Sequence, residues 1–284
     1  YDKEGFSGQY GIERQFESNL VRESSNLYSN YFANIFSGVK DEIFESDEEA
    51  EASIELSIEP RVQAVLETKL DEVVDAWGAL SAGALVVDPV SGEIIAMATN
   101  PRYDPNDYGK VDDPGVYANP FVEDVFEMGS IVKPLSIAAG LDSGVIRPDS
   151  TYYDAGFVEL DGKRIENYDG VARGVASMQD VLNQSLNTGV VHVSRKIGRD
   201  KFLSYLRRFG LYDKTDVELP NESGNLLANL ESGKEVELAT ASFGQGIALT
   251  PISVVRSLSA LANGGYLMRP RVVRAIDYTL GHRE

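Results

Sequence analysis

Ser130-Ile-Val-Lys133 places a hydroxyl and an amine three residues apart. A serine hydroxyl is a poor nucleophile until a base within hydrogen-bonding distance takes its proton. A spacing of three on a helix puts both side chains on one face. With Gly129 closing the loop before it, Ser130 stands where a helix opens. The positive end of the helix dipole there disfavours a second positive charge, which helps Lys133 lose its proton. Burial beside the apolar side chains of Ile131, Val132 and Leu135 acts in the same direction. The chemistry this allows is acyl transfer through a covalent serine. The same four residues equally describe an ordinary capped helix with a surface lysine. Ser37-Gly-Val-Lys40 repeats the spacing in an irregular stretch of the chain.

Ser185-Leu-Asn187 adds a second hydroxyl and an amide at the break between two helical stretches. The hydroxyl could relay a proton between the lysine and a leaving amine, and the amide could hold a peptide carbonyl. The alternative is that Asn187 merely caps a helix. Ser24-Ser-Asn26 and Ser223-Gly-Asn225 show the same triplet. Phe243-Gly-Gln-Gly246, followed by Thr250-Pro251, is a glycine-rich turn opening a helix. It lacks the spacing of a phosphate loop and follows no clear strand, which argues against a nucleotide site.

Composition narrows the options. The formal net charge is −19, against the basic balance that nucleic acid requires of a partner, and reads as a well-hydrated surface. The chain has no Cys, so disulfides and thiolate metal sites are excluded. Its two histidines, His192 and His282, sit in no metal-ligand spacing and read as surface or packing residues. No apolar run approaches the roughly 18 residues of a membrane helix. The chain opens at Tyr1 without a methionine, so its natural N-terminus is expected upstream.

The elements that must position these residues follow from periodicity and punctuation. Glycines mark residues 1–20 as a loop leading into a short helix. Residues 21–52 are irregular and end in the acidic run 45–51, a solvated linker and a domain boundary. Ile54, Leu56 and Ile58 alternate as in a strand. Pro60 suits the first turn of a helix whose Val62, Val65, Leu66, Val73, Val74 and Trp77 are expected to form one buried face. Residues 83–98 read as a hairpin around the turn Asp88-Pro-Val-Ser-Gly92. A Pro-, Asp- and Asn-rich loop fills 101–120, and a helix is expected from Ser130 to Leu141. Residues 150–170 are turn-rich with short strand-like pieces. Residues 177–209 read as two or three helices opened by Ser177 as a cap. Residues 236–262 read as helix, glycine-rich loop, helix, and 271–276 return to strand. This order points to an α+β fold.

Taken together and in order, these segments resemble the penicillin-binding protein transpeptidase family, for which Ser-x-x-Lys, Ser-x-Asn and Lys-Thr-Gly form the known motif set. The resemblance runs through the hairpin segment 86–101, the nucleophile segment Phe126-Glu-Met-Gly-Ser-Ile-Val-Lys-Pro134 and Asn167-Tyr-Asp-Gly170. It continues through Gln184-Ser-Leu-Asn-Thr-Gly189, Val217-Glu-Leu-Pro-Asn-Glu-Ser223, residues 241–251 and Ala262-Asn-Gly-Gly265. Gly8-Gln-Tyr-Gly-Ile-Glu13 with Phe16 is similar to the end of the pedestal domain in class B members. Glu127 and the Phe-Gly-Gln-Gly loop lean toward the division-type subfamily over the elongation type.

The resemblance implies a remnant of a pedestal domain and linker over residues 1–52. It implies a transpeptidase domain over 53–284, built of an antiparallel sheet flanked by helices and an all-helical subdomain. It implies a peptidoglycan D,D-transpeptidase with Ser130 as nucleophile, Lys133 as its base, Ser185 as proton shuttle and Asn187 as substrate-binding amide. Ser130, Lys133, Ser185 and Asn187 are then expected to line one cleft, with the Ser130 hydroxyl near both Lys133 and Ser185, at about 2.6–3.2 Å or further apart without substrate. No metal or cofactor is implied. The implied partners are peptidoglycan stem peptides, β-lactams and a cell-wall glycosyltransferase of the division or elongation machinery. The implied setting is a bacterial membrane, with an N-terminal anchor outside this chain and the domain facing the periplasm or exterior. The third motif is not in the sequence: the nearest string, Lys214-Thr-Asp216, lacks the glycine and precedes the Phe-Gly-Gln-Gly loop. The chain is therefore expected to stop short of that strand and to be inactive alone. A serine β-lactamase, or a penicillin-sensing or scaffold domain without turnover, are the alternative readings.

Overall fold

A computed structural model describes residues 8–20, 52–278 and 283. The Ser37-x-x-Lys40 and Ser24-x-Asn26 repeats, the acidic linker and His282 lie outside these residues.

Two short helices, α1 (Gly11–Gln15) and α2 (Glu17–Leu20), precede strand β1 (Ala52–Leu56). Helix α3 (Pro60–Trp77) leads into the hairpin β2 (Ala82–Val87) and β3 (Ile94–Asn100). After two 3₁₀ turns come the short helix α4 (Pro120–Glu123), a 3₁₀ turn Gly129–Val132 and helix α5 (Lys133–Asp142). Four short strands follow: β4 (Thr151–Asp154), β5 (Phe157–Leu160), β6 (Lys163–Glu166) and β7 (Gly174–Ser177). Helices α6 (Met178–Asn183), α7 (Asn187–Ile197) and α8 (Arg199–Arg208) form the middle of the molecule. Helices α9 (Glu235–Ala241) and α10 (Pro251–Ala262) and strand β8 (Val273–Tyr278) complete it. The mixture is α+β, as the sequence predicts. The described strands pair antiparallel in four two-stranded ladders: β1 with β8, β2 with β3, β4 with β7 and β5 with β6.

Two apolar clusters divide the interior. One lies among the helices and includes Val132, Leu135, Val190, Phe202, Leu206, Phe243 and Leu249. The other joins Ile94, Val122, Val217, Leu219, Ile252 and Val272, with Ile12 and Ile58 packed against it. Buried Ser57 stitches the β1–β8 ladder to the hairpin, because its hydroxyl donates to Ile94 O at 2.7 Å and its N–H to Val272 O at 2.9 Å. Through Ile12, and through Tyr10 stacked on Tyr117 at 4.2 Å, residues 8–20 rest on the larger body.

Helix α3 forms where expected, but only Leu66 and Val74 of the expected face turn inward, half-buried, while Val62, Val65, Val73 and Trp77 are exposed. Leu70 is its one buried residue, whereas Val65 is 61% and Trp77 83% exposed. The inward face is mixed, with Gln63, Glu67 and Asp71 beside Leu66, Leu70 and Val74. The Gln63 amide both donates to Met97 O and accepts from Met97 N, pairing with β3 as a neighbouring strand would. About two turns further on, Asp71 accepts from Asn100 and from both terminal guanidinium nitrogens of Arg102. Satisfying the open backbone edge of β3 decides which face of the helix turns inward, because a buried backbone group without a partner costs more than an exposed valine.

Candidate active site

The Ser130 segment is built as a sharp turn into a helix. Gly129 takes a left-handed φ of 59° and begins the 3₁₀ turn, Ser130 follows as its second residue, and α5 starts directly at Lys133 with Pro134 in its first turn. This geometry exposes Ser130 and carries Lys133 into the interior, where it is 2% exposed.

The partner turn comes from a different part of the chain. Ser177 and Asp180 form a reciprocal cap that starts α6. The chain then reverses through Ser185, which holds φ 53°, a conformation that side chains other than glycine rarely take. The reversal brings Ser185 onto the amine of Lys133. The Nζ donates to Ser185 Oγ at 2.8 Å and to Ser185 O at 2.6 Å. Burial pushes the Lys133 ammonium down to about 8, well below the ordinary lysine range. The structure thus joins Lys133 and Ser185, 52 residues apart in sequence. Among the described residues the Ser130 hydroxyl makes no hydrogen bond to either group. A buried amine needs acceptors, and the Ser185 carbonyl and hydroxyl supply two.

Asn187 is the first residue of α7, and its side chain does not cap the helix. Its Nδ2 donates to Glu166 O at the end of β6, 2.8 Å away. The second amide hydrogen and Oδ1 have no partner among the described residues.

Sequence reasoning gave the Phe-Gly-Gln-Gly loop no place at the site, yet the loop holds the turn that carries Ser130. Gly129 N donates to Gly244 O at 2.9 Å, and Gly246 N donates to Glu127 Oε1 at 2.9 Å. Ser136 Oγ donates to Ser242 O at 2.7 Å, and Phe126 and Leu249 exchange both backbone bonds. Gly244 has φ 78°, and a Cβ there would lie 2.2 Å from Gly129 O. Only glycine permits that approach.

The decoy strings fall into structural roles. Ser223 Oγ donates to Glu123 O, and Asn225 accepts from Thr250 N and from the Ser253 hydroxyl. Thr215, in Lys214-Thr-Asp216, is buried with its hydroxyl on Glu222 Oε1 at 2.7 Å. Glu218 accepts from Val272 N and pairs with Arg269. His192 packs its ring 5.4 Å from that of Tyr152.

An exposed serine, a buried low-pKa lysine one turn later and a second serine on that lysine define the class of serine acyl-transfer sites. The chain belongs to the penicillin-binding protein transpeptidase family: the model named Penicillin binding protein transpeptidase domain matches residues 82–284. Stage V sporulation protein D of Bacillus subtilis is 34% identical over 214 residues, covering 75% of this chain and 33% of that protein. A probable peptidoglycan D,D-transpeptidase FtsI of Caulobacter vibrioides is 32% identical over 214 residues, covering 75% and 36%. Among solved structures, penicillin-binding protein 3 of Mycobacterium tuberculosis in complex with aztreonam superposes with a TM-score of 0.77. It is 27% identical, with 82% of this chain and 52% of that one covered. The chain spans about a third of the length of the two sequence relatives.

Proposed function

We propose that the protein of which this chain is part is a peptidoglycan D,D-transpeptidase working through a Ser130 acyl-enzyme. The observation that carries the reading is Lys133: an amine buried one turn after an exposed serine and hydrogen-bonded to a second serine. Relatives named as D,D-transpeptidases, and a neighbouring structure holding aztreonam, support it.

In this mechanism neutral Lys133 takes the Ser130 proton as Oγ attacks the carbonyl of the penultimate D-alanine in a stem peptide. The backbone N–H of Ser130 supplies half of the oxyanion hole. Asn187 orients the peptide through its free amide groups. The Ser185 hydroxyl passes a proton to the departing amine, the C–N bond breaks and the last D-alanine leaves. An amine of a neighbouring stem then takes the acyl group, and a β-lactam traps Ser130 instead. A Ser130 hydroxyl without a hydrogen bond to Lys133 or Ser185 is consistent with this, since catalytic hydrogen bonds often close only around substrate. The parent is anchored in the bacterial membrane, works outside the cytoplasm with a cell-wall glycosyltransferase and belongs to the division-type branch. Among the described residues no helix is long and apolar enough to cross a membrane.

A β-lactamase would need a carboxylate free to activate the deacylating water. Glu218 and Glu222 are both engaged, by Val272 and Arg269 and by Thr215. The full-length protein should give a stoichiometric burst with a chromogenic cephalosporin and then stop. Sustained hydrolysis would replace the transpeptidase reading with the β-lactamase one.

A further inference from the structure

Beneath Asn187 lies a polar cluster with no assigned role. Asp154, the last residue of β4, is 0% exposed. One carboxylate oxygen accepts from Thr188 Oγ1 at 2.8 Å and Gly156 N at 2.9 Å. The other accepts from Asn167 Nδ2 at 2.8 Å and Arg173 N at 3.1 Å. Four donors on one buried carboxylate fix it completely. Because Thr188 gives its one hydroxyl proton to Asp154, its oxygen takes the Tyr152 hydroxyl proton, 3.0 Å away.

The cluster sets an orientation. Asp154 holds the Nδ2 of Asn167, which turns Oδ1 of that amide toward Thr188 N at 3.3 Å. Thr188 N is one of the orphan donors of the first turn of α7, and Leu186 at the N-cap offers no side-chain bond. Asn167 therefore caps α7 from another part of the chain. The neighbouring Glu166 O receives the Asn187 amide at 2.8 Å. Residues 166–167 and 187–188 are zipped by two adjacent bonds, and the buried carboxylate keeps one of them correctly polarised.

We infer that Asp154, acting through Asn167 and Thr188, is a positioning residue that holds Asn187 in its ligand-binding orientation. The inference rests on the transpeptidase reading and adds that the work is done in binding. Lys133, not this cluster, holds Ser185. Loss of the cluster should loosen the encounter complex and leave the bond-forming step nearly intact.

Stopped-flow acylation of the full-length protein by a fluorescent penicillin separates the two, giving the dissociation constant of the encounter complex and the limiting acylation rate. Thr188→Val keeps the shape and removes the hydroxyl. It should raise the dissociation constant about tenfold, the scale of one buried hydrogen bond, and change the limiting rate less than about threefold. Thr188→Ser keeps the hydroxyl and should stay within about twofold of wild type in both constants. Asp154→Asn turns an amide donor onto donors and should follow Thr188→Val in the same constant. If Asp154→Asn does not fold, the Thr188 pair still decides. Wild-type constants in Thr188→Val overturn the inference. So does an equal loss in Thr188→Ser, or a loss found only as a smaller active fraction with unchanged constants. If wild type itself is not labelled at Ser130, the transpeptidase reading fails. If wild type is labelled and Thr188→Val behaves like it, only this inference fails.

Discussion

Replacing Lys133 with methionine keeps the length of the side chain and removes the amine, so it isolates the burden of a buried charge. Lys133 is 2% exposed and its pKa is lowered from 10.5 to about 8 by burial. The folded state therefore disfavours the ammonium by about 3 kcal/mol, at about 1.4 kcal/mol per pKa unit. The sign follows from proton uptake. Below pH 8 the lysine is protonated both folded and unfolded, and the whole cost is present. Between about 8 and 10.5 the unfolded chain holds more protons, so wild-type stability rises with pH relative to the variant. The variant also strands the Ser185 carbonyl and hydroxyl, a loss of about 1–3 kcal/mol that does not depend on pH. The change with pH is thus cleaner than either absolute value. Denaturant titrations at pH 7 and pH 10 should show the stability gap between Lys133→Met and wild type move by about 2.5 kcal/mol, in favour of wild type at high pH. A gap that stays constant would refute the claim that the site holds its lysine under desolvation.

The same lysine governs rate: acylation by a β-lactam should rise with pH through an inflection at about 8 as Lys133 becomes a base, and a flat profile from pH 6 to 9 would remove it from that role. Lys133→Ala should slow acylation by about 10²–10⁴-fold in the same assay. Gly244→Ala must accommodate a Cβ 2.2 Å from Gly129 O, so it should melt earlier and acylate about a hundredfold more slowly through the displaced nucleophile turn. Normal acylation by the Gly244→Ala protein would show that the loop does not position Ser130. Glu127→Gln keeps an acceptor for Gly246 N and should acylate within about threefold of wild type, whereas Glu127→Ala should not.

Local signals were legible where the chemistry is local. Ser130 and Lys133 lie three residues apart, in the 3₁₀ turn and at the start of the helix it leads into, and the capping box from Ser177 to Asp180 spans four residues and needs no tertiary contact. The apolar stripe of α3 revealed a helix but not its orientation. Valine spacing says that a helix has an apolar face, while the Gln63 pairing that rotates part of that face outward depends on a strand 34 residues away. The glycines at 244 and 246 were visible as a turn, yet their purpose lies in contact with Gly129 and Glu127, which no spacing encodes. Asn187 read as a possible helix cap because asparagine commonly caps. Its actual partner, Glu166 O, and the capping of α7 by Asn167 come from the fold of the β4–β7 segment. Asp154 was unremarked for the same reason: it meets Thr188 from 34 positions away.

The central claim is that Ser130 is the residue acylated. Intact-mass analysis of the full-length protein after incubation with benzylpenicillin, followed by peptide mapping, tests it directly. The account predicts one penicilloyl adduct on the peptide containing Ser130, and none in a folded Ser130→Ala variant. An adduct that persists in that variant, or that maps to Ser185, would contradict it.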